Sequence, residues 1–442
     1  MQDDIEPLSA IALAEFFEVA NLLGHDRRQL AAGEEISSLI LIPTIEDASR
    51  VLCRADSARR RRRGATFFDA IMNRQRLGQG MHDRGECVVF ADGTVHGPDR
   101  HGMSKHLPLH VKAISAIEKV VPAGQTFDVS VRASAWEGLP DTEELYVVVN
   151  IGTLILGEGA SVVVHGNVFV LVCQHLVRCG SPRYVDDTEQ ARIGEPGSYD
   201  FGILPTPFLQ GGRHRAVGGT DGDGGTDGAD ASQLLLPSTL FGPMLLIPVA
   251  EGELNGAPGK PGHAGTAGER GGNGGACKLA ELTIRHIDPS AGDVVVFAQP
   301  GTGGSGGAGG SGGTGGSGGA GSDGFRSLFG DIPGGSGGRG GPGGAGGFGG
   351  DGGNGGISSN IYVVVPPEDE ERIVRVSLPG EGGEGGLGGA PGPPGNGGAP
   401  GNGPAPALAG RPGESGDPGR TGSNGRKGRS RPAAPIFLNE RL

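Results

Sequence analysis

Apolar residues recur at helical spacing in the opening stretch PLSAIALAEFFEVANLL. Leu8, Ile11, Ala12, Phe16 and Val19 form a mostly apolar stripe interrupted by Glu15, and Gly24 is a natural stop. SSLILIP then reads as a strand, and ECVVFADGTVHG as a hairpin turning at Asp92-Gly93. From residue 121 the period changes to two. TFDVSVRA alternates Phe127, Val129 and Val131 with Asp128, Ser130 and Arg132, a strand buried on one face. The following run, ELYVVVNIGTLILGEGASVVVHGNVFVLVCQHLV, consists of short β-branched stretches broken by Gly152, Gly157, Gly159 and Gly166. Such spacing fits short strands stacked in a solenoid or packed in a sandwich, and both remain open.

Beyond residue 255 glycine takes over, in tracts that keep a triplet period. They cover 256–275, 301–321, 335–356, 380–401 and 410–428, and a shorter phrase, GTDGDGGTDG, precedes them. A polyproline-II-type helix has three residues per turn and no internal hydrogen bonds, so each tract would form a rod of roughly 60 Å with one side chain row per edge. A flexible tether needs neither the strict period nor the matched lengths. A collagen triple helix would suit the first and fifth tracts but not SGGAGGSGG, which lacks proline. A bundle of polyglycine II rods within one chain is the favoured reading, its backbone groups paired between rods. The tracts richest in glycine, the second and third, suit its interior. The first and fifth suit its edges. The linking segments 277–300 and 357–379 each read as a β-hairpin at one end of the rods.

The expected architecture is therefore mainly β plus polyglycine II. A mixed α/β region (1–120) leads into a β domain (121–255), capped by a bundle of about five to six glycine-rich left-handed helices (256–428), with a tail at 429–442. The tracts resemble those of polyglycine II bundle proteins, which include springtail antifreeze proteins and receptor-binding adhesins of some phage tail fibres. They also resemble glycine-rich, collagen-like bacterial surface proteins. This resemblance covers 256–428 alone. It implies a rigid module for surface display, adhesion or self-assembly into a filament, with the chain itself or a surface glycan or receptor as partner.

Charge and composition narrow the classes further. Among 442 residues, 37 Lys and Arg stand against 50 Asp and Glu, a formal charge of −13 that disfavours general nucleic-acid binding. The first residues show no basic segment before an apolar core, so a standard signal peptide is absent or already removed. The apolar, uncharged run 231–250 holds Pro237, Pro243 and Pro248, and no transmembrane span is expected. An extracellular or cell-surface location rests on the resemblance. Five cysteines form no metal or disulfide framework, although Cys173 and Cys179 are close enough in sequence to bridge.

No enzyme motif stands up. GGSGG at 303–307 has the spacing of a nucleophile elbow but sits inside a triplet repeat. The chain is expected to be non-enzymatic, a glycan-active hydrolase or lyase, or a glycan-binding module, on the β domain being the alternative. Trp136, Tyr146 and Tyr362 could stack on sugars if exposed, and are more often core. Asp221, Asp223, Asp227 and Asp230 suit calcium by residue type, yet match no calcium-loop spacing and read first as an acidic surface loop. His96, His101, His106 and His110 are a candidate transition-metal set, read first as loop histidines. No cofactor is otherwise expected. Thr302, Ser305, Ala308, Ser311, Thr314, Ser317 and Ala320 line one edge of the second tract. By the springtail resemblance that edge is a candidate ice-binding row, and it reads first as small because it is buried. The run Arg59–Arg63 could meet an anionic surface or be a processing site, and reads first as a solvated loop or helix end.

Overall fold

A computed structural model describes residues 8–69, 84–92, 101, 103–141, 143–180, 194–195, 198–206, 219–232, 238–239, 242–243, 252–327 and 330–442. Five helices are used below: α1 (Ala10–Leu22), α2 (Arg27–Ala31), α3 (Ile45–Leu52), α4 (Ser57–Asp69) and α5 (Arg84–Phe90). The strands are β1 (Ile36–Ile42), β2 (Leu109–Val121), β3 (Thr126–Asp128), β4 (Leu145–Leu156), β5 (Ser161–His165), β6 (Val168–Arg178) and β7 (Phe201–Leu204). There follow β8 (Ser238–Thr239), β9 (Gly242–Pro243), β10 (Ala280–Ile284), β11 (Val294–Ala298), β12 (Ile361–Val364), β13 (Ile373–Ser377) and β14 (Ile436–Leu438).

These strands form two main sheets. One has seven strands in the order β1-β2-β4-β6-β10-β12-β14, and the other has five in the order β13-β11-β7-β5-β3. Only β1 is antiparallel to its neighbour in them. From β2 onward, successive strands of the main sheets alternate between the two, so the chain winds through both in stacked coils. Val147, Val149, Leu171, Leu282 and Val363 of the large sheet meet Val162, Val164, Phe201 and Val296 of the small one in a shared core. The outer face of the large sheet is covered as well, with Val148, Val170, Leu279 and Tyr362 packing against Val51, Leu52, Val89 and Phe90 of the helices. Burial on both faces explains the unbroken apolar runs in β4 and β6.

Several sequence expectations change. The segments 277–300 and 357–379 do contain two strands each, but not hairpins: β10 and β12 enter the large sheet, β11 and β13 the small one, all in parallel registers. Position 255 therefore does not end the β region, which takes in strands on both sides of it. Of ECVVFADGTVHG, where a hairpin was expected, Glu86–Phe90 lie in helix α5, because Cys87 and Phe90, three residues apart, are both buried in the core and packing overrides the β propensity of the valines, while the expected turn from Gly93 onward lies outside the described residues. In TFDVSVRA only Thr126–Asp128 stay in the ladder. Val131 leaves it because the Asn167 side chain takes its place, accepting from Val131 N at 2.8 Å and donating to Val131 O at 3.1 Å.

The glycine segments lie between coils in pairs. We number them rod 1 (219–231), rod 2 (256–274), rod 3 (301–322), rod 4 (335–356), rod 5 (380–401) and rod 6 (410–429). Backbone bonds between them repeat every third residue. Rods 1, 3 and 5 run the same way side by side, with Gly219 N donating to Ala308 O at 2.6 Å and Gly303 N to Glu381 O at 2.8 Å. Rods 2, 4 and 6 form a second layer, joined by Gly259 N to Arg339 O and Gly337 N to Arg411 O, both 2.9 Å. The two layers run in opposite directions and are cross-bonded, as by Gly304 N to Gly272 O and Gly338 N to Gly319 O, both 2.8 Å. Rods 3 and 4 thus have neighbours on four sides, which is where the glycine-richest tracts were expected. One rod joins each layer per coil, and both rods and strands are spaced by backbone hydrogen bonding, so coils and layers grow together.

Candidate functional site

The side chains that reach solvent from the rods are set by the triplet period. On rod 3 two of every three residues are glycines facing neighbouring rods. The third row is Thr302, Ser305, Ala308, Ser311, Thr314, Ser317 and Ala320. Thr302, Ser305, Ala308 and Thr314 are exposed, and Ser311, Ser317 and Ala320 are partly so. The expectation that this row is small because it is buried is therefore wrong. Small size is required on the glycine edges, where a Cβ at Gly313 would overlap the carbonyl oxygen of Asp223. The row's own edge faces outward.

Its flanks complete a face three rods wide. Rod 1 contributes Asp221, Asp227 and Asp230, and rod 5 contributes Glu381, Glu384, Leu387, Ala390 and Asn396, all exposed. No basic residue lies at these outward positions. The opposite face carries Arg270, Arg339, Arg420, Arg426 and Arg429, together with Phe348 at 64% exposure. Arg339 is paired with Asp417 at 3.1 Å across rods 4 and 6.

The aspartates have a role that residue type alone did not suggest. Asp221, Asp227 and Asp230 accept from the backbone N–H of Ser311, Ser317 and Ala320 at 2.5, 2.6 and 2.7 Å. These are outward N–H groups that no rod can reach. Asn255 does the same for Ser336 and Asn273 for Asn354, while Asp351 serves Arg426 and Asn354 serves Arg429. The phrase GTDGDGGTDG is thus a bonded rod edge and not a surface loop. Its carboxylates are spread along the rod, and Asp223 lies outside the capping row. Replacing Asp221, Asp227 and Asp230 together by Ala should lower the thermal midpoint, whereas calcium chloride should leave the native midpoint unchanged. A calcium-dependent rise of several degrees would show that the carboxylates converge on an ion.

The described histidines of the candidate set, His101, His106 and His110, do not converge either. His96 lies outside the described residues, and His101 is exposed. His106 is 2.9 Å from Glu143, and His110 packs edge-on against Trp136 at 5.3 Å. Burial lowers the pKa of His110, with Glu143 opposing. Among the described residues no group of three or more His, Cys, Asp or Glu is placed to hold a metal ion. None of the five cysteines is in a disulfide, so Cys173 and Cys179 are not bridged. Tyr146 and Tyr362 are core residues, and Trp136 is half-buried against the shared core.

Arg59–Arg63 is helix, not loop, and Arg63 is fully buried. Its guanidinium lies 3.2 Å from Glu281, 2.9 Å from Glu440 and 4.0 Å from the Tyr362 ring centroid. Burial works against its charge, but Glu281 and Glu440 outweigh it and hold the pKa above the ordinary value. Arg60 reaches Asp92 at 3.2 Å and also bonds Ser49. Arg61 and Arg62 alone are exposed.

A second buried pair joins Lys278 to Glu144 at 2.9 Å. Burial pulls the Lys278 ammonium down to about 7. Between that value and the unfolded value of about 10.4 the unfolded chain holds the extra proton, so stability rises with pH across this window. Thermal melts from pH 7 to pH 10 should show that rise, and it should flatten in a Lys278→Met, Glu144→Gln variant.

No family model matches the chain, and no curated protein matches it. Among solved structures, the nine-helix polyproline type II bundle of the springtail antifreeze protein from Granisotoma rainieri aligns at 26% identity, over 37% of this chain and 93% of that one, with a TM-score of 0.05. A superposition at that score establishes no shared fold. In the described residues no helix is long and apolar enough to cross a membrane.

Proposed function

We propose that this is a non-enzymatic structural or adhesive protein, in which a polyglycine II bundle carried on a β-solenoid serves surface display or assembly outside the cell. The supporting observation is the division of labour within the triplets. Two edges of each inner rod are consumed by backbone bonding, and the third is left to present side chains on a broad, rigid face. A face fixed by backbone bonds loses little entropy when it binds, which favours a display surface over a linker. Partners are the chain itself, or a surface glycan or receptor. Negative-stain microscopy with glycan-array binding tests the reading. Ordered assemblies, or glycan binding lost on Leu387→Lys or Phe348→Lys, are expected. A dispersed chain that binds nothing and cleaves a polysaccharide would overturn it in favour of a glycan-active enzyme. The exposure of Thr302, Ser305, Ala308 and Thr314 favours one second reading, ice binding through that row, for which thermal hysteresis abolished by Thr314→Lys is the test.

A further inference from the structure

We propose that the rod bundle stacks on further copies of the chain, the acidic face of one against the arginine-bearing face of the next, with neighbouring copies reversed end to end. The inference rests on the assembly reading above and gives it a partner, a register and a direction. The outward row of rod 1 reads Asp221, Gly224, Asp227, Asp230. The outward row of rod 6, diagonally across the bundle on the opposite face, ends Arg420, Ser423, Arg426, Arg429. The three aspartates and three arginines are all exposed. Among the described residues the ion pairs between rods are Arg339 with Asp417 and Lys427 with Glu384, which use none of the six. Each aspartate caps a backbone N–H through one carboxylate oxygen and has a second that can accept from a cation.

The spacing selects a second copy and its direction. In both rows the charges are six and then three residues apart, about 19 and 9 Å along a polyproline-II-type rod. All three positions match when the two rods run parallel, Asp221 to Arg420, Asp227 to Arg426 and Asp230 to Arg429. Antiparallel rods set gaps of six and three against three and six, and match at most two. Rod 3, which runs with rod 1, leaves the β coils after β11, whereas rod 6 returns to them before β14. Parallel pairing of rod 1 with rod 6 therefore puts the β coils of the two copies at opposite ends.

The other rows fit the same register. Asp227 caps Ser317 and Asp351 caps Arg426, so Ser317 of one copy faces Asp351 of the next, and three residues earlier Thr314 faces Phe348. Phe348 is 64% exposed in the single chain, and the small side chains of rod 3 leave room for it. Glu381 and Glu384 of rod 5 lie over rod 2, whose outward row from Pro258 to Asn273 has Arg270 as its one charge. Glu414 and Asp417 precede Arg420 in rod 6 and so meet no aspartate of rod 1. Opposite faces attract and two acidic faces repel, which fixes the sense of the stack. Every copy presents both faces, so the contact is heterologous and open-ended, and it builds a filament with the β coils alternating on its two sides.

Sedimentation velocity with negative-stain microscopy on the full chain tests this. Assemblies larger than a dimer should form at low salt and dissociate at high salt, where exposed charges are screened. Arg420→Glu, Arg426→Glu and Arg429→Glu together should weaken association at least tenfold with the thermal midpoint little changed, since these side chains are in solvent in the single chain. The corresponding lysine triple should retain it. In a Cys179→Ser background, Ala308→Cys and Pro342→Cys copies, which the register sets face to face, should be joined by a short bis-maleimide when mixed. Ala308→Cys with Phe348→Cys, which face each other only if both copies point the same way, should not. A chain dispersed at every concentration would overturn the stack and the assembly reading together. Assemblies indifferent to salt and to the three glutamates would overturn the stack alone and place assembly on another surface. Cross-linking of Ala308→Cys to Phe348→Cys would overturn the reversed direction.

Discussion

Gly350→Ala should destabilise the protein by about 1–3 kcal/mol, and Gly350→Val by more. Gly350 lies on inner rod 4, where an added Cβ would overlap the carbonyl oxygen of Glu269 on rod 2. The obstacle is backbone, itself bonded on both sides, and cannot rotate away as a side chain would. Gly350 also donates to Gly307 O at 2.8 Å, so displacing rod 4 strains bonds to rod 3. Restricting the unfolded chain would by itself favour alanine by ~0.4–1 kcal/mol, and the overlap exceeds that gain. Ser305→Ala, two rows away on an outward edge, should change stability by no more than about 0.5 kcal/mol. Urea denaturation of the three variants separates the cases, since a flexible tether would tolerate all of them equally.

Arg63→Met should cost about 3–5 kcal/mol, the range for removing one partner of a buried ion cluster. The methionine would fill much of the space but leave Glu281 and Glu440 facing each other with no cation. Three coils meet at this guanidinium: Glu281 in β10, Tyr362 in β12 and Glu440 just after β14. The loss should therefore appear as reduced protection of the last strand as well as a lower denaturation midpoint. Arg61→Met, two residues earlier on the solvent side of the helix, should be near neutral. A triple replacement of Arg63, Glu281 and Glu440 by apolar residues should recover much of the stability, because the cost lies in stranding charge and not in lacking it.

The elements that were legible from sequence are those whose signal is local. The triplet period marked rods 2 to 6, glycine density pointed to rods 3 and 4 as the inner ones, and the apolar runs marked most strands, whereas rod 1 read first as an acidic surface loop. What failed depended on partners far along the chain. Glu281 and Glu440 are 218 and 377 residues from Arg63, and nothing in RRRRR distinguishes its last member from the exposed ones. Two strands around a polar turn look alike whether they form a hairpin or feed separate sheets, so 277–300 and 357–379 were misread. Small residues fit both a buried and an exposed edge, which is why Thr302 to Ala320 needed the register of rods 1 and 5 to be placed. The capping aspartates were hidden for the same reason. Their partners, Ser311, Ser317 and Ala320, lie 90 residues away, and a side chain that bonds an otherwise idle N–H has no composition signature of its own.

The claim that carries the rest is that the glycine tracts are folded by bonds between rods. Residue-resolved amide hydrogen exchange over 301–322 tests it most directly. The account predicts a period of three. Gly303, Gly304, Gly306 and Gly307, whose N–H groups donate to rods 5 and 2, should exchange slowly, while Thr302, Ser305 and Ala308 exchange quickly between them. Ser311, Ser317 and Ala320, bonded to aspartates, should fall between the two. Uniformly fast exchange along the tract would contradict the account and return the glycine segments to the status of tethers.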